Sequence, residues 1–181
     1  MTPTLVVVSG PAGTGKTTLA HAVARALGCP AICRDEIKEG LVHANPGFVP
    51  APGDPLTMRT LGLFFDVLGL LVRAGVTVVA EAAFQDRVWR PRLEPLATHA
   101  RLRVLRCRAD PQVARARVTD RLAYDPRRAA HDDRGRLAAS GAGFAPISLP
   151  GPELDVDTTD GYRPRLDEIV AFVNGPGTRD H

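Results

Sequence analysis

The chain has 181 residues, 44% of them hydrophobic and 24% charged, and its formal net charge is +3. This is an ordinary composition for a soluble globular protein, and the length suits one domain with a genuine core. No apolar run approaches the roughly 20 residues that span a bilayer, and the N-terminus lacks the pattern of a secretory signal. We therefore expect no membrane partner and a cytoplasmic location.

Charge and cysteine content add little about function. A small positive charge admits polyanionic partners, nucleotides included, without demanding nucleic acid. Cys29, Cys33 and Cys107 lack metal-site spacing, and no histidine cluster accompanies them in the sequence. We interpret all three as small buried or half-buried residues.

The first apolar run, residues 5–8, is β-branched and is followed by Gly10, which predicts a buried strand. The next eight residues, from Gly10 to Thr17, read GPAGTGKT and match the G-x-x-x-x-G-K-[ST] phosphate-binding loop in full. A helix predicted over 17–27 follows, so its N-terminal dipole adds to the loop's inward-pointing N–H groups. We therefore predict an ATP-binding site that contains Gly10, Ala12, Gly13, Thr14, Gly15, Lys16, Thr17 and Thr18.

Three side chains of this loop have distinct predicted roles. Lys16 is expected to reach the β- and γ-phosphates as a catalytic residue, and the hydroxyl of Thr17 to take a place on Mg²⁺. Thr18 is expected to donate to the α-phosphate. The guanine-reading N-K-x-D sequence is missing, and the chain is too short for the additional elements of a ring ATPase. The remaining features favour a kinase.

A short strand predicted over 31–33 leads into CRDEIKEG and a helix predicted over 35–42. Asp35 then lies at the carboxyl edge of a parallel sheet, where ligands of open α/β sheets bind. Its carboxylate suits a catalytic base that takes the proton of an attacking hydroxyl, and it would also contact the substrate. The alternative is that Asp35 only caps the helix, and Glu36 is a competing carboxylate.

The stretch 43–55 is rich in Pro and Gly, which predicts a long loop of the kind that is often functional. His43 and Asn45 are candidates there to hydrogen-bond an acceptor. In the helix predicted over 56–74, Arg59 is a candidate to anchor an anionic or hydroxylated acceptor. The same helix has an apolar stripe that we assign to the core, formed by Leu61, Phe64, Phe65, Leu68 and Leu71.

A third buried strand is predicted over 76–80, and Glu81 follows it directly. An acid at this position near the phosphate loop suits a metal role, since it can hold Mg²⁺ through water; the alternative is a solvated charge at the strand end. Gln85 is a further candidate for acceptor binding. A helix over 88–97 and a strand over 102–107 complete this part of the prediction.

Asp110 is predicted to cap an arginine-rich helix that runs to about residue 122. Arg117 and Arg121 stand four apart on one face of it, where guanidinium groups can stack on adenine and clamp phosphates. Arg121 is the candidate to stabilise charge in the transition state; the alternative is a solvated basic face. We predict a lid over 124–143, and the remaining arginines of the region are Arg115, Arg127 and Arg128.

The end of the chain is predicted to form a strand over 154–156 and a helix over 165–173, with a flexible tail over 176–181. Apolar runs thus alternate with longer amphipathic segments throughout, which indicates repeated strand–helix units around a parallel sheet. No repeat or linker interrupts them, so residues 1–175 are predicted to form a single domain.

With these motifs in hand, the chain resembles the P-loop kinase-like AAA_33 ATP-binding group, near chloramphenicol phosphotransferase, zeta toxins and polynucleotide 5′-kinases. The resemblance covers most of the chain and depends on GPAGTGKTT, RDEIK, VVAEAAF, the arginine segment and VDTTDGY. It implies a three-layer P-loop NTPase fold with a five-stranded parallel sheet of nucleoside/shikimate-kinase type, Asp35 as base, and a helical arginine lid over ATP. It also implies that residues 156–159, with Thr158, lie beside adenine. Glu81 departs from the family pattern, which usually has Asp there.

The predicted function is transfer of the γ-phosphate of ATP, with Mg²⁺, to a hydroxyl of a small metabolite, nucleoside or antibiotic. A polynucleotide 5′-end is the second choice of acceptor, and it is not favoured, because the basic residues do not alternate with aromatic stacking residues. The alternative from another class is a nucleotide-sensing P-loop ATPase that has no phosphorylated acceptor. The sequence leaves the oligomeric state open.

Overall fold

Five strands form one parallel sheet in this computed structural model, which describes residues 2–51, 53–125, 130–131 and 144–175. The strand order is β2-β3-β1-β4-β5, so that β1 is central and each strand pair is parallel. This confirms the predicted fold class. The strands are β1 Thr4–Ser9, β2 Ala31–Cys33, β3 Val78–Glu81, β4 Arg101–Arg108 and β5 Glu153–Asp157.

Six α-helices connect or flank these strands in the described part of the chain. Each corresponds to a predicted helix, and the predicted bounds of helices and strands agree with the structure to within two residues except at one helix end. The helices are α1 Lys16–Leu27, α2 Arg34–His43, α3 Pro55–Arg73, α4 Asp86–Leu93, α5 Pro111–Tyr124 and α6 Leu166–Asn174.

The exception is the helix predicted to run to residue 97. The α-helix ends at Leu93, and a 3₁₀-helix, Glu94–Thr98, takes over. Pro95 explains the change, because a proline lacks the backbone N–H that would continue the α-helical hydrogen-bond ladder. The prediction used only the spacing of apolar residues, which carries no information about the missing N–H of Pro95.

The sheet is covered on both faces, which gives the three layers expected. Alternate residues of β1 face opposite sides, so Leu5 and Val7 join the core under α3 and α4 while Val6 and Val8 join the core under α1 and α6. The stripe of α3 is core as predicted: Phe64 and Leu68 are fully buried, and the rest of it is partly buried against them. In contrast, α5 buries no residue fully.

The apolar helix α3 meets, by length and composition alone, the criteria for a membrane-spanning helix. The expectation considered uninterrupted apolar runs, and charged residues such as Asp66 interrupt the apolar sequence of this 19-residue helix. One third of its most apolar window is buried inside the protein, and core helices of soluble proteins pass the same test. The expected cytoplasmic location and lack of a membrane partner stay predictions.

Most of the predicted lid, 124–143, lies outside the described residues, as does the predicted tail at 176–181. The described part of the lid includes Ala130 and His131, both of which are buried. Nε2 of His131 lies 3.3 Å from Oε1 of Glu39 on α2. Residues 130–131 therefore pack beside α2, and the arginine lid itself stays a prediction.

Candidate active site

The carboxyl ends of three neighbouring strands bring the predicted chemistry together. Val8 of β1 and Cys33 of β2 both lie opposite Glu81 of β3 in the strand register. The phosphate loop begins two residues after Val8, at Gly10, and Asp35 follows two residues after Cys33. The loop, the acidic end of β3 and the predicted base therefore share one edge of the sheet, where ligands of parallel α/β folds bind.

The phosphate loop has the backbone that the motif demands. Gly13 and Gly15 adopt positive φ angles of 80° and 69°, and α1 begins immediately afterwards at Lys16. A Cβ on Gly13 would lie 2.2 Å from the carbonyl oxygen of Ala114, so α5 packs directly on this point of the loop. Glycine is therefore required at Gly13 by both conformation and space.

Hydrogen bonds within the loop fix its curl. The hydroxyl of Thr14 donates to the carbonyl oxygen of Pro11 at 2.8 Å, and Nζ of Lys16 donates to the same oxygen at 2.9 Å. Ala12 and Thr18, both predicted to contact ATP, are exposed beside it. To bind a phosphate, Lys16 would exchange its hydrogen bond to the carbonyl oxygen of Pro11 for one to the phosphate. This requires only a movement of the lysine side chain.

Thr17 and Glu81 form the candidate magnesium site. The Thr17 hydroxyl donates to Oε2 of Glu81 at 3.2 Å, although the two residues are 64 positions apart. Glu81 is 4% exposed, and this burial raises the pKa of its carboxyl, with Lys16 acting in the opposite direction. A hydroxyl and a carboxylate are the hard oxygen donors that Mg²⁺ prefers, and a cation would offset the burial of the acid. The residues present fit the ion.

The charges around Lys16 link the predicted catalytic residues. Burial lowers the pKa of its amine, and the negative charges of Glu81 and Asp35 counter that effect. Arg121, although exposed, lowers the same pKa further through its positive charge. Glu81, Asp35 and Arg121 thus all lie within electrostatic range of Lys16.

Asp35 occupies the second helical position of α2, and Cys33 takes the cap position. The interpretation of Asp35 as the helix cap is therefore wrong, because the helix begins one residue earlier than predicted. Nη1 of Arg34 pairs with Oδ1 of Asp35 at 2.9 Å, and Asp35 keeps 36% of its side chain exposed. Arg34 itself is buried. The carboxylate is thus held by a buried guanidinium and still accessible to an acceptor.

Arg117 and Thr158 join the nucleotide loop to the other side of the site. Nη2 of Arg117 donates to the carbonyl oxygens of Thr158 and Thr159 at 2.8 and 3.2 Å. The Thr158 hydroxyl donates to the carbonyl oxygen of Thr14 at 2.9 Å. The segment after β5 therefore lies against the phosphate loop, and Arg117 holds it there through backbone carbonyls. Its contact with adenine stays a prediction.

The predicted acceptor residues are less tightly placed. Arg59 on α3 and Gln85 before α4 are both exposed, and within the described part of the chain neither makes a polar contact with the phosphate loop. His43 ends α2, and the Asn45 side chain donates to the carbonyl of Leu41 at 2.7 Å, which is local helix capping. Their contact with an acceptor stays a prediction.

Two groups of residues escaped the sequence reasoning. Arg34 adjoins Asp35 in the sequence, and only its burial identifies it as a support for that carboxylate. The sequence also gives no sign of the pair formed by His21 and Cys33, in which Nε2 of His21 lies 3.7 Å from Sγ of Cys33. No local signal reveals this pair, because α1 and β2 meet only in the folded chain.

No curated protein sequence matches this chain. Among solved structures it is similar to a protein of Chloroflexus aurantiacus provisionally assigned as a kinase, with 27% identity, a TM-score of 0.83 and coverage of 96% of this chain and 98% of that one. Two others show likeness of fold alone. They are the Mycobacterium tuberculosis APS kinase CysC in complex with AMPPNP and APS (18% identity, TM-score 0.62, coverage 96% and 99%) and Chaetomium thermophilum Kti12 with ADP-AlF3 (16%, 0.67, 94% and 100%).

A family model covers most of the chain. The model is that of AAA_33, an AAA domain, and it matches residues 5–146, which include the phosphate loop and Glu81. The fold and its neighbours are those of P-loop kinases. The chain belongs to the AAA_33 family.

Proposed function

We propose that the protein is an ATP-dependent kinase that transfers the γ-phosphoryl group to a hydroxyl of a small molecule. The observation that carries this proposal is the shared sheet edge, where the Thr17–Glu81 pair and the accessible Asp35 flank Lys16. A switch or motor needs the nucleotide loop and a metal site. Phosphoryl transfer to a hydroxyl also needs a base beside them, and the partly exposed carboxylate of Asp35 is suited to that role.

In the proposed reaction the loop amides and Lys16 hold the β- and γ-phosphates. Thr17 and Glu81 would hold Mg²⁺, which neutralises phosphate charge when bound. The acceptor oxygen forms a bond to the γ-phosphorus as the bond to the β,γ-bridging oxygen breaks, and ADP leaves. The hydroxyl proton passes to the carboxylate of Asp35, and Arg121 stabilises the charge on the transferring group.

A small hydroxylated acceptor is favoured over a polynucleotide. Several solved structures of similar fold are named for small acceptors, namely a sugar kinase, a gluconokinase and an APS kinase. Another belongs to an RNA repair complex, of whose chain the match covers only 48%. Arg59 and Gln85 are the proposed acceptor-binding side chains, both exposed and therefore open to a ligand.

The test is to incubate purified protein with ATP, Mg²⁺ and pooled nucleosides, sugars, hydroxylated antibiotics and a 5′-hydroxyl oligonucleotide, and to find phosphorylated products by mass spectrometry. Asp35→Asn should lower phosphoryl transfer about 10²-fold or more with nearly unchanged ATP affinity. Asp66→Asn is the matched control, since Asp66 is an exposed carboxylate on α3.

Two results would change the proposed function or its acceptor. A phosphorylated oligonucleotide without any small product would replace the small acceptor by a nucleic-acid end. Tight ATP binding, slow hydrolysis insensitive to Asp35→Asn and no product with any acceptor would favour the nucleotide-sensing ATPase instead.

A further inference from the structure

Three potential metal ligands meet on the side of β2 next to the site. Nε2 of His21, on α1, lies 2.7 Å from Oε1 of Glu36, on α2, and 3.7 Å from Sγ of Cys33 at the end of β2. The three ligand atoms all lie within 4.8 Å of one another. Cys33 and Glu36 are three residues apart in the sequence, and the fold brings His21 to them.

The spacing suits a tetrahedral ion. Zn²⁺ binds thiolate sulfur at about 2.3 Å and imidazole nitrogen at about 2.0–2.1 Å, which places the two ligand atoms about 3.6 Å apart at a tetrahedral angle. The separation of Cys33 Sγ and His21 Nε2 is 3.7 Å. The nitrogen and the Glu36 oxygen, now hydrogen-bonded, would have to separate from 2.7 Å to about 3.4 Å. Both tips can make this movement, since their side chains are 44% and 45% exposed.

The three ligand residues differ in burial: one is fixed in the sheet and two are partly exposed. Cys33 is 2% exposed and lies in the sheet, in register with Glu81, so the position of its sulfur is fixed by the strand. His21 on α1 and Glu36 on α2 lie beside this sulfur, and the side chains of both residues are partly exposed to solvent. Three protein ligands with an open side leave the fourth position to water, which is the pattern of a zinc site with an exchangeable position.

The ligand chemistry separates this group from the magnesium position. Imidazole and thiolate favour zinc and similar borderline ions, whereas Mg²⁺ prefers oxygen ligands such as those of Thr17 and Glu81. We propose that His21, Cys33 and Glu36 form a site for Zn²⁺, distinct from the Mg²⁺ site at Thr17 and Glu81. Binding of the ion displaces the thiol proton of Cys33 to solvent.

The test uses Co²⁺ as a spectroscopic probe for zinc on tag-free, nucleotide-free full-length protein. Cobalt bound to Cys33 gives a thiolate charge-transfer band in the near ultraviolet, which one equivalent of Zn²⁺ should abolish and excess Mg²⁺ should leave unchanged. Cys33→Ser should remove the band. Cys29→Ser is the matched control, because Cys29 is a half-buried cysteine four residues away and its loss should leave the band intact.

His21→Ala and Glu36→Gln test the other two ligands and, being at the surface, do not depend on the fold tolerating a change at Cys33. Loss of an outer-sphere partner costs about 10–100-fold in metal affinity, so loss of a ligand should weaken Co²⁺ binding by about 100-fold or more. His99→Ala, at another exposed histidine, should have no effect. A band that persists in folded Cys33→Ser, no band in the wild type, or unchanged affinity in His21→Ala would each overturn the site.

Discussion

The hydroxyl of Thr17 donates a hydrogen bond to the carboxylate of Glu81 across 3.2 Å, which joins the first turn of α1 to the end of β3. The pair lies beside Lys16, whose charge opposes the effect of burial on the pKa of Glu81. A buried acid, a hydroxyl and a cationic amine thus lie together at the mouth of the phosphate loop, where the charges of Glu81 and Lys16 offset each other.

The first prediction concerns Glu81→Gln. The amide keeps the size of the side chain and can still accept from Thr17, but it removes the charge that would hold Mg²⁺. We expect the concentration of Mg²⁺ needed for half-maximal ATP turnover to rise about 10-fold or more. Because burial raises the pKa of this acid, the free energy of unfolding without nucleotide should stay the same or increase.

Thr17→Ser provides the control, since it retains the hydroxyl and should keep near-normal magnesium dependence. Turnover and chemical denaturation measure the two effects separately. An unchanged Mg²⁺ requirement in Glu81→Gln would remove Glu81 from the metal site.

The second prediction concerns Gly13→Ala, measured against Gly28→Ala. Both glycines have positive φ angles, 80° and 69°, so an alanine is strained at either position. Only at Gly13 would the new Cβ collide with α5, 2.2 Å from the carbonyl oxygen of Ala114, whereas nothing lies within 4 Å at Gly28. Gly28→Ala should cost about 1 kcal/mol of unfolding free energy and leave ATP binding intact.

Gly13→Ala should cost more than Gly28→Ala and weaken ATP binding at least tenfold, as measured by calorimetric titration, because α5 must move away from the loop. Equal effects of the two substitutions on ATP affinity would show that the close approach of α5 does not shape the site.

The third prediction concerns the buried pair that joins α2 to the start of α3. Nζ of Lys38 donates to Oδ2 of Asp54 at 2.9 Å, and Oδ1 of Asp54 accepts from the backbone N–H of Thr57 as the cap of α3. Asp54→Ala leaves a buried ammonium without its counter-charge, which typically costs about 3–5 kcal/mol. Asp66→Ala, on the exposed face of the same helix, should change the unfolding free energy by less than about 0.5 kcal/mol. Urea denaturation compares the two, and equal losses would contradict a structural role for the pair.

The fourth prediction gives the pH dependence of that pair. Burial by itself would raise the pKa of Asp54, but hydrogen bonds from Lys38 and Thr57 outweigh it and hold the pKa below its ordinary value. A carboxyl with a lowered pKa in the folded state stabilises fully above its unfolded pKa, and this contribution is lost as the pH falls through the folded value. The stability difference between wild type and Asp54→Asn should therefore be constant from about pH 5 to 7 and shrink below about pH 4. A difference that grows on acidification would reverse the assigned direction.

The phosphate loop, the alternation of strands and helices, and the positions of Lys16 and Thr17 could all be predicted from the sequence. These depend on residues close together in the chain, because a glycine-rich turn between a β-branched run and a helix has one compatible backbone. Asp35 and Glu81 could also be placed, since the carboxyl ends of parallel strands meet at one edge of a sheet.

The contacts between side chains could be identified only in the folded protein. The bonds between Thr17 and Glu81, between Lys38 and Asp54 and between Arg117 and the segment at Thr158 each join separate elements, as does the group at His21, Cys33 and Glu36. Strand register and helix packing set these contacts. Because they depend on the whole chain closing around two cores, no short stretch of sequence contains them.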